Sequence, residues 1–157
     1  FARMPESKFK LVNLYDLINT QINTQKIANK NIDFKFSFPK KKILIECDFN
    51  QISRLLINIL KNSIESIKSK KKIISIEIEN KKKFVLINIE DNGDGFPSGR
   101  EKLFEPYITN KSNGTGLGLA LCKKIVEDHS GEISLLDSSS LGGARVTVKL
   151  FKNIGQN

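Results

Sequence analysis

The chain has 157 residues, 39% hydrophobic and 27% charged, a balance that suits one globular domain and argues against a disordered polypeptide. Its two cysteines, Cys47 and Cys122, lack metal-ligand spacing, so ordinary thiols in a reducing compartment are expected, and the single histidine, His129, excludes a histidine-rich metal site. A formal net charge of +9 comes largely from lysine runs such as Lys70-Lys71-Lys72 and Lys81-Lys82-Lys83; without interleaved aromatics they read as solvated loop tips, not a nucleic-acid or membrane face.

Residues 11–28 read as an amphipathic helix, with Leu14, Leu17, Ile18, Ile22 and Ile27 on its apolar side. Phe34, Phe36 and Phe38 then alternate with Asp33, Lys35 and Ser37, the period of a strand over 32–38 that Pro39 closes. A second short strand is expected at 43–46. The clearest helix follows. Asp48 can cap it, Gln51 stands three residues on, and Ile52, Leu55, Leu56, Ile59, Leu60, Ile64 and Ile67 keep helical spacing. Asn58 and Asn62 are four apart on that helix and share a side, with Glu65 three further along. An asparagine carbonyl oxygen is a hard ligand suited to Mg²⁺, which is usually shared with substrate phosphates. An exposed polar stripe would read the same way.

Strands are expected at 73–78 and 84–89, joined by a turn at 80–83. The second runs into Glu90-Asp91-Asn92-Gly93-Asp94-Gly95-Phe96-Pro97, where Gly93 and Gly95 let backbone approach a flat ligand that a Cβ would meet. Asp91 at the strand end can place a carboxylate in a pocket. There it would accept from the adenine amino group and repel the carbonyl oxygen of guanine, a charge-assisted bond worth about 1.5–3 kcal/mol. A plain Asn-Gly or Asp-Gly turn is the bland alternative. A calcium loop is excluded, because the twelfth position counted from Asp91 is Lys102, not glutamate.

The run Gly114-Thr115-Gly116-Leu117-Gly118-Leu119 leads into a helix expected from about 116 to 128. Free amides and the positive end of the helix dipole suit a phosphate there. It is no P-loop, since no Gly-Lys-Ser/Thr follows, and the dinucleotide spacing fails at Leu119. His129 falls at the far end of this helix, where a favourable dipole interaction accounts for it. Strands at 132–136 and 145–151 complete the order. The sum is an α+β fold: a two-layer sandwich with a mixed, mostly antiparallel sheet and three main helices on one face.

Taken together in this order, the motifs resemble the catalytic, ATP-binding domain of sensor histidine kinases, on the Bergerat fold. Asn58-Ile-Leu-Lys-Asn62-Ser63 is similar to the family's N box, and Asp91-x-Gly93-x-Gly95 to its first glycine box. Lys102-Leu-Phe104-Glu-Pro106-Tyr107 resembles the F box, the 114–119 run the second glycine box, and Gly142-Gly143 the last glycine element. The likeness spans about residues 11–151. Phe1-Ala-Arg-Met-Pro5 and Pro106-Tyr-Ile-Thr-Asn-Lys111 look most like nitrogen-regulation kinases. The resemblance implies ATP and Mg²⁺ as cofactors. Asn62 would ligate the metal, Asn58 would face the phosphates, and Asp91 would read adenine. Lys111 and the amides of 115–119 would hold the phosphates, Phe104 and Tyr107 would anchor a lid unless they simply pack in the core, and Thr147 would support the adenine end.

In ATPases of this fold a glutamate four residues before the metal asparagine activates water; here that place is Asn58, which cannot act as a base, so transfer to a histidine is expected over hydrolysis. An ATPase or serine kinase of the same fold, or a basic nucleic-acid or lipid-binding module, is the alternative. Phe1 in place of an initiator methionine points to a longer parent, with residues 1–10 as the trailing end of a dimerisation region, 11–152 as the catalytic domain and 153–157 as a tail. The implied partners are the parent's own dimerisation domain, which carries the acceptor histidine, and a response regulator. The fragment is expected to be monomeric, cytoplasmic and unable to autophosphorylate alone, and the parent a homodimer anchored in the inner membrane.

Overall fold

The structure, a computed structural model, describes residues 5–39, 41–107 and 118–153. Its first helix begins later than the apolar spacing predicts. Lys10–Asn13 form strand β1, which pairs antiparallel with β3 (Leu44–Cys47), so these residues satisfy their backbone groups in a small two-stranded sheet that the sequence did not announce. Helix α1 (Leu14–Ala28) starts only at Asn13, whose side-chain oxygen accepts from the Tyr15 amide at 3.1 Å. Leu14, Leu17, Ile18 and Ile22 are buried as expected, but Ile27 is 76% exposed and leaves the apolar face. Upstream of β1, Ser7 contacts Gln51, Lys8 contacts Asp48 and Phe9 contacts His129.

Strands β2 (Ile32–Ser37), β4 (Lys72–Asn80), β5 (Phe84–Asp91), β6 (Glu132–Asp137) and β7 (Ala144–Phe151) make one sheet in the order β2-β4-β5-β7-β6. Only β2 and β4 run parallel, the crossover between them containing helix α2 (Phe49–Ser66); the other pairs are antiparallel. One face of the sheet presents Phe34, Ile74, Ile76, Ile87, Ile89, Val146 and Val148 to the helices, and the core lies between the two layers. The expected α+β sandwich is the observed one.

Helix α2 keeps the predicted cap, Asp48 Oδ1 accepting from the Gln51 amide at 3.0 Å. It buries Ile52, Leu55, Leu56, Ile59 and Leu60. Helix α3 (Gly118–Asp128) lies antiparallel to it, with the Cys122 thiol 3.8 Å from the Leu55 carbonyl oxygen. Burial pushes the Cys47 thiol, beside the Asp48 carboxylate, and the Cys122 thiol up to about 12, so both are inert core groups.

Candidate functional site

Asp91 is the last residue of β5 and is only 1% exposed. Strand alternation puts it on the same face as Ile87 and Ile89, towards the helices, and its carboxylate is held by the main chain. Oδ1 accepts from the Gly93 amide at 2.9 Å and from the Ala144 amide at 3.2 Å. These two amides fix the carboxylate plane and leave Oδ2 as the oxygen available to a partner.

The glycines around Asp91 have specific reasons. A Cβ at Gly143 would run into the backbone oxygen and Oδ1 of Asp91 and the Gly93 nitrogen, so only glycine lets β7 start this close to β5. A Cβ at Gly93 would meet the hydroxyl and backbone of Ser66 at the end of α2, whose carbonyl also accepts from the Asp94 amide at 3.3 Å. Gly95 adopts a φ of 77°. Asn92 anchors the turn from the other side: its Oδ1 accepts from the Ile73 amide at 2.9 Å and its Nδ2 donates to the Lys71 carbonyl at 2.7 Å. The turn is thus stitched to β4, α2 and β7 at once.

Asn58 and Asn62 are both half-buried on α2, and continuing their stripe by four residues reaches Ser66, the residue that Gly93 packs against. The register of α2 against α3 brings in the third part. Asp48 meets His129, and Leu55 meets Cys122, seven residues further along α2 and seven back along α3. Carried on, that register sets the first turn of α3 beside the turn of α2 that holds Asn58 and Asn62. Gly118 and Leu119 open α3, with the Leu119 side chain packed against the core. Lys111, Gly114, Thr115, Gly116 and Leu117 lie outside the described residues.

Thr147 does not belong to this group. It pairs with Asn88 across the ladder, three residues from Asp91 and therefore on the opposite face of the sheet. Its hydroxyl donates to Asn88 Oδ1 at 2.8 Å, and Asn88 Nδ2 donates to Glu79 Oε2 at 2.8 Å. The period of two that puts Val146 and Val148 in the core excludes Thr147 from the Asp91 side. The backbone amide of Ala144, not anticipated from the sequence, meets Asp91 instead; Gly142-Gly143 just before it was the available signal.

The two aromatic residues of the expected lid also separate. Phe104 ends a 3₁₀ turn (Arg100–Phe104) and packs against the core, with the Lys123 ammonium of α3 5.0 Å from its ring centroid. Tyr107 is 68% exposed with a φ of 67°, so it is not a core residue. His129 is the opposite of a charged helix-end group, being 2% exposed. Its Nδ1 donates to its own helix's Ile125 carbonyl at 2.8 Å and its Nε2 accepts from the Asp48 amide at 3.1 Å, which requires the neutral ring. Among the described residues no cluster of His, Cys, Asp and Glu could hold a metal ion, and no helix is long and apolar enough to cross a membrane.

Residues 47–154 match the family described as histidine kinase-, DNA gyrase B-, and HSP90-like ATPase. The chain belongs to this family. It is 36% identical over 151 residues to the sensor histidine kinase NtrY-like protein of Rickettsia bellii, covering 95% of this chain and 25% of that protein. It is 33% identical over 158 residues to the nitrogen regulation protein NtrY of Azorhizobium caulinodans, covering 95% of this chain and 20% of the relative. The chain therefore spans about a quarter or less of the length of these relatives. Among solved structures, the catalytic domain of histidine kinase ThkA superposes with a TM-score of 0.84 at 32% identity, covering 96% of this chain and 99% of that domain. ThkA has also been solved in complex with the response regulator protein TrrA; that copy matches with a TM-score of 0.81 at 27% identity, over 96% of this chain and 44% of ThkA. These likenesses do not favour the basic binding-module alternative.

Proposed function

We propose that this chain is the ATP-binding catalytic domain of a sensor histidine kinase, holding Mg-ATP so that its γ-phosphoryl group passes to a histidine on a dimerisation domain. The observation that carries this reading is Asp91. A buried carboxylate whose one oxygen is pinned by two backbone amides, inside a turn that glycines open, is preorganised to accept from an adenine amino group.

Mg²⁺ fits Asn62, a hard oxygen donor half-buried on α2, and when bound it supplies charge neutralisation at the phosphates. Gly118 at the positive end of α3 supports phosphate binding, with Lys111 and the 114–117 glycine run as further phosphate contacts. Asn58 faces the phosphates and, lacking a basic carboxylate, does not activate water. The partners under this reading are the parent's dimerisation domain and a response regulator; the TrrA-bound ThkA structure supports the second.

Calorimetry with ATP, ADP and GTP, with and without Mg²⁺, tests the reading on wild type and Asp91→Ala. ATP is expected to bind, GTP to bind at least tenfold more weakly, and Asp91→Ala to remove the preference. Equal binding of both nucleotides would overturn the role of Asp91. Incubation with labelled ATP is expected to leave no stable phosphohistidine on the chain, and hydrolysis well above background would favour an ATPase.

A further inference from the structure

The helix pair that serves the proposed nucleotide site is closed at its other end by groups that the site does not use. His129, at the end of α3, accepts from the backbone amide of Asp48, the N-cap of α2. Asp48 in turn accepts with Oδ1 from the Gln51 amide and with Oδ2 from the Lys8 amide at 2.8 Å. Ser7 Oγ donates to Gln51 Oε1 at 3.1 Å, and the Phe9 ring meets the His129 ring edge-on, centroids 5.0 Å apart. Three separate pieces of chain converge on one buried imidazole: the segment leading into β1, the start of α2 and the end of α3.

We infer that His129 and Asp48 are positioning residues, through which segment 5–9 sets the register of α2 against α3 and thereby the affinity of the nucleotide site. The reasoning is geometric and rests on the function proposed above. Both helices run from this junction to the pocket, α2 carrying Asn58 and Asn62 and α3 beginning at Gly118. Their packing along the way is antiparallel and in one register, with Cys122 against Leu55. Helices packed at core density transmit a displacement of one end to the other. A shift at the Asp48–His129 contact therefore moves the metal-side asparagines relative to the phosphate-side helix start.

The linkage is reciprocal: a nucleotide that favours one register must tighten segment 5–9, and loosening that segment must weaken the nucleotide. The charged groups facing His129 are Asp48 from α2 and Asp128 from α3, while the incoming segment presents the Phe9 ring and, through Lys8, a backbone amide to Asp48. Protonating the ring removes the only acceptor it offers to the Asp48 amide.

The test uses the whole chain, with Phe9→Ala and Ser7→Ala to loosen the segment without altering either helix, and His129→Gln to keep a neutral side chain. ADP affinity is measured by calorimetry from pH 5.5 to 8, and amide exchange at Lys8 and Asp48 is followed with and without ADP. Bound ADP is expected to slow exchange at both amides. Phe9→Ala should weaken ADP severalfold and Ser7→Ala about twofold, while His129→Gln should flatten the pH dependence relative to wild type. Wild-type ADP affinity in folded Phe9→Ala and Ser7→Ala, with Lys8 exchange unmoved by ADP, would overturn the inference. Failure of wild type to bind any adenine nucleotide would instead remove the site reading, and this one with it.

Discussion

The two ends of the α2–α3 pair are built on opposite principles. At the Asp48–His129 end, side chains do the joining. A carboxylate, an imidazole and an aromatic ring meet there, and the Asp48 carboxylate and the His129 ring are fully hydrogen-bonded, although Gln51 Nε2 beside them is buried without a partner. At the Asp91 end, backbone meets backbone because side chains are missing: Gly143 lies against Asp91, and Gly93 against Ser66. This second end gathers polar main chain around a single carboxylate. One helix pair thus joins a junction of side chains to a turn of close-packed main chain, and the difference is set by where glycine replaces a side chain.

The sharpest break at the glycine end is Gly143→Ala. Its Cβ would meet backbone on two sides, so overpacking should cost about 1–3 kcal/mol in a urea melt. Displacement of Asp91 should also lower ATP affinity by about tenfold or more in calorimetry. At the closed end, His129→Leu leaves the Asp48 amide unpaired and should cost about 1–3 kcal/mol in the same melt.

A smaller, pH-resolved effect distinguishes the two ends further. Burial holds His129 below its ordinary value of 6.5, outweighing the Ile125 hydrogen bond and the nearby Asp48 and Asp128 charges. The unfolded ring therefore takes up its proton first as pH falls. Its contribution to stability is complete above about 6.5 and is lost as pH drops through the lower folded value. For Asp48, burial pushes the carboxyl up, but the amides of Lys8, Gln51 and Asn50 and the nearby His129 prevail and hold it below 3.8. Its contribution is present above 3.8 and disappears as pH falls through its own folded value. Urea melts between pH 5 and 8 should show stability declining towards pH 5, and His129→Gln should reduce that slope. The smallest effect belongs to Thr147→Val. It should cost about 1 kcal/mol through the lost Asn88 bond and leave ATP affinity unchanged, since Thr147 faces away from Asp91.

Much of the architecture was legible before any coordinates. Asp48 followed by Gln51 marked the start of α2, and the spacing of Ile52, Leu55, Leu56, Ile59 and Leu60 marked the face it buries. The phenylalanine alternation marked β2. The error at the first helix comes from pairing between residues distant in the chain. Leu11 and Val12 fit a helical pattern, but β3 supplied an antiparallel partner and drew them into a strand. Ile27 is a miss of another kind: it kept the spacing of a core residue but sits in the last turn of α1 and is exposed.

The candidate site divides along the same line. Asp91, Gly93 and Gly95, the Asn58–Asn62 spacing and the glycine run ahead of α3 are local patterns visible in the chain, each open to a plainer reading by itself and given a role only by their order together. Which residues meet Asp91 is a question of ladder register. The family resemblance nominated Thr147, and the β5–β7 pairing assigned it to Asn88 on the far face and brought the Ala144 amide to the carboxylate. His129 shows the limit most clearly. Its position in the chain reads as a helix end explained by the dipole, and only the packing of α3 against the cap of α2 turns it into a buried, neutral bridge. Residue types and short spacings are written in the chain; which distant backbone group each side chain meets is decided by the sheet and helix registers, because those depend on the whole core closing at once.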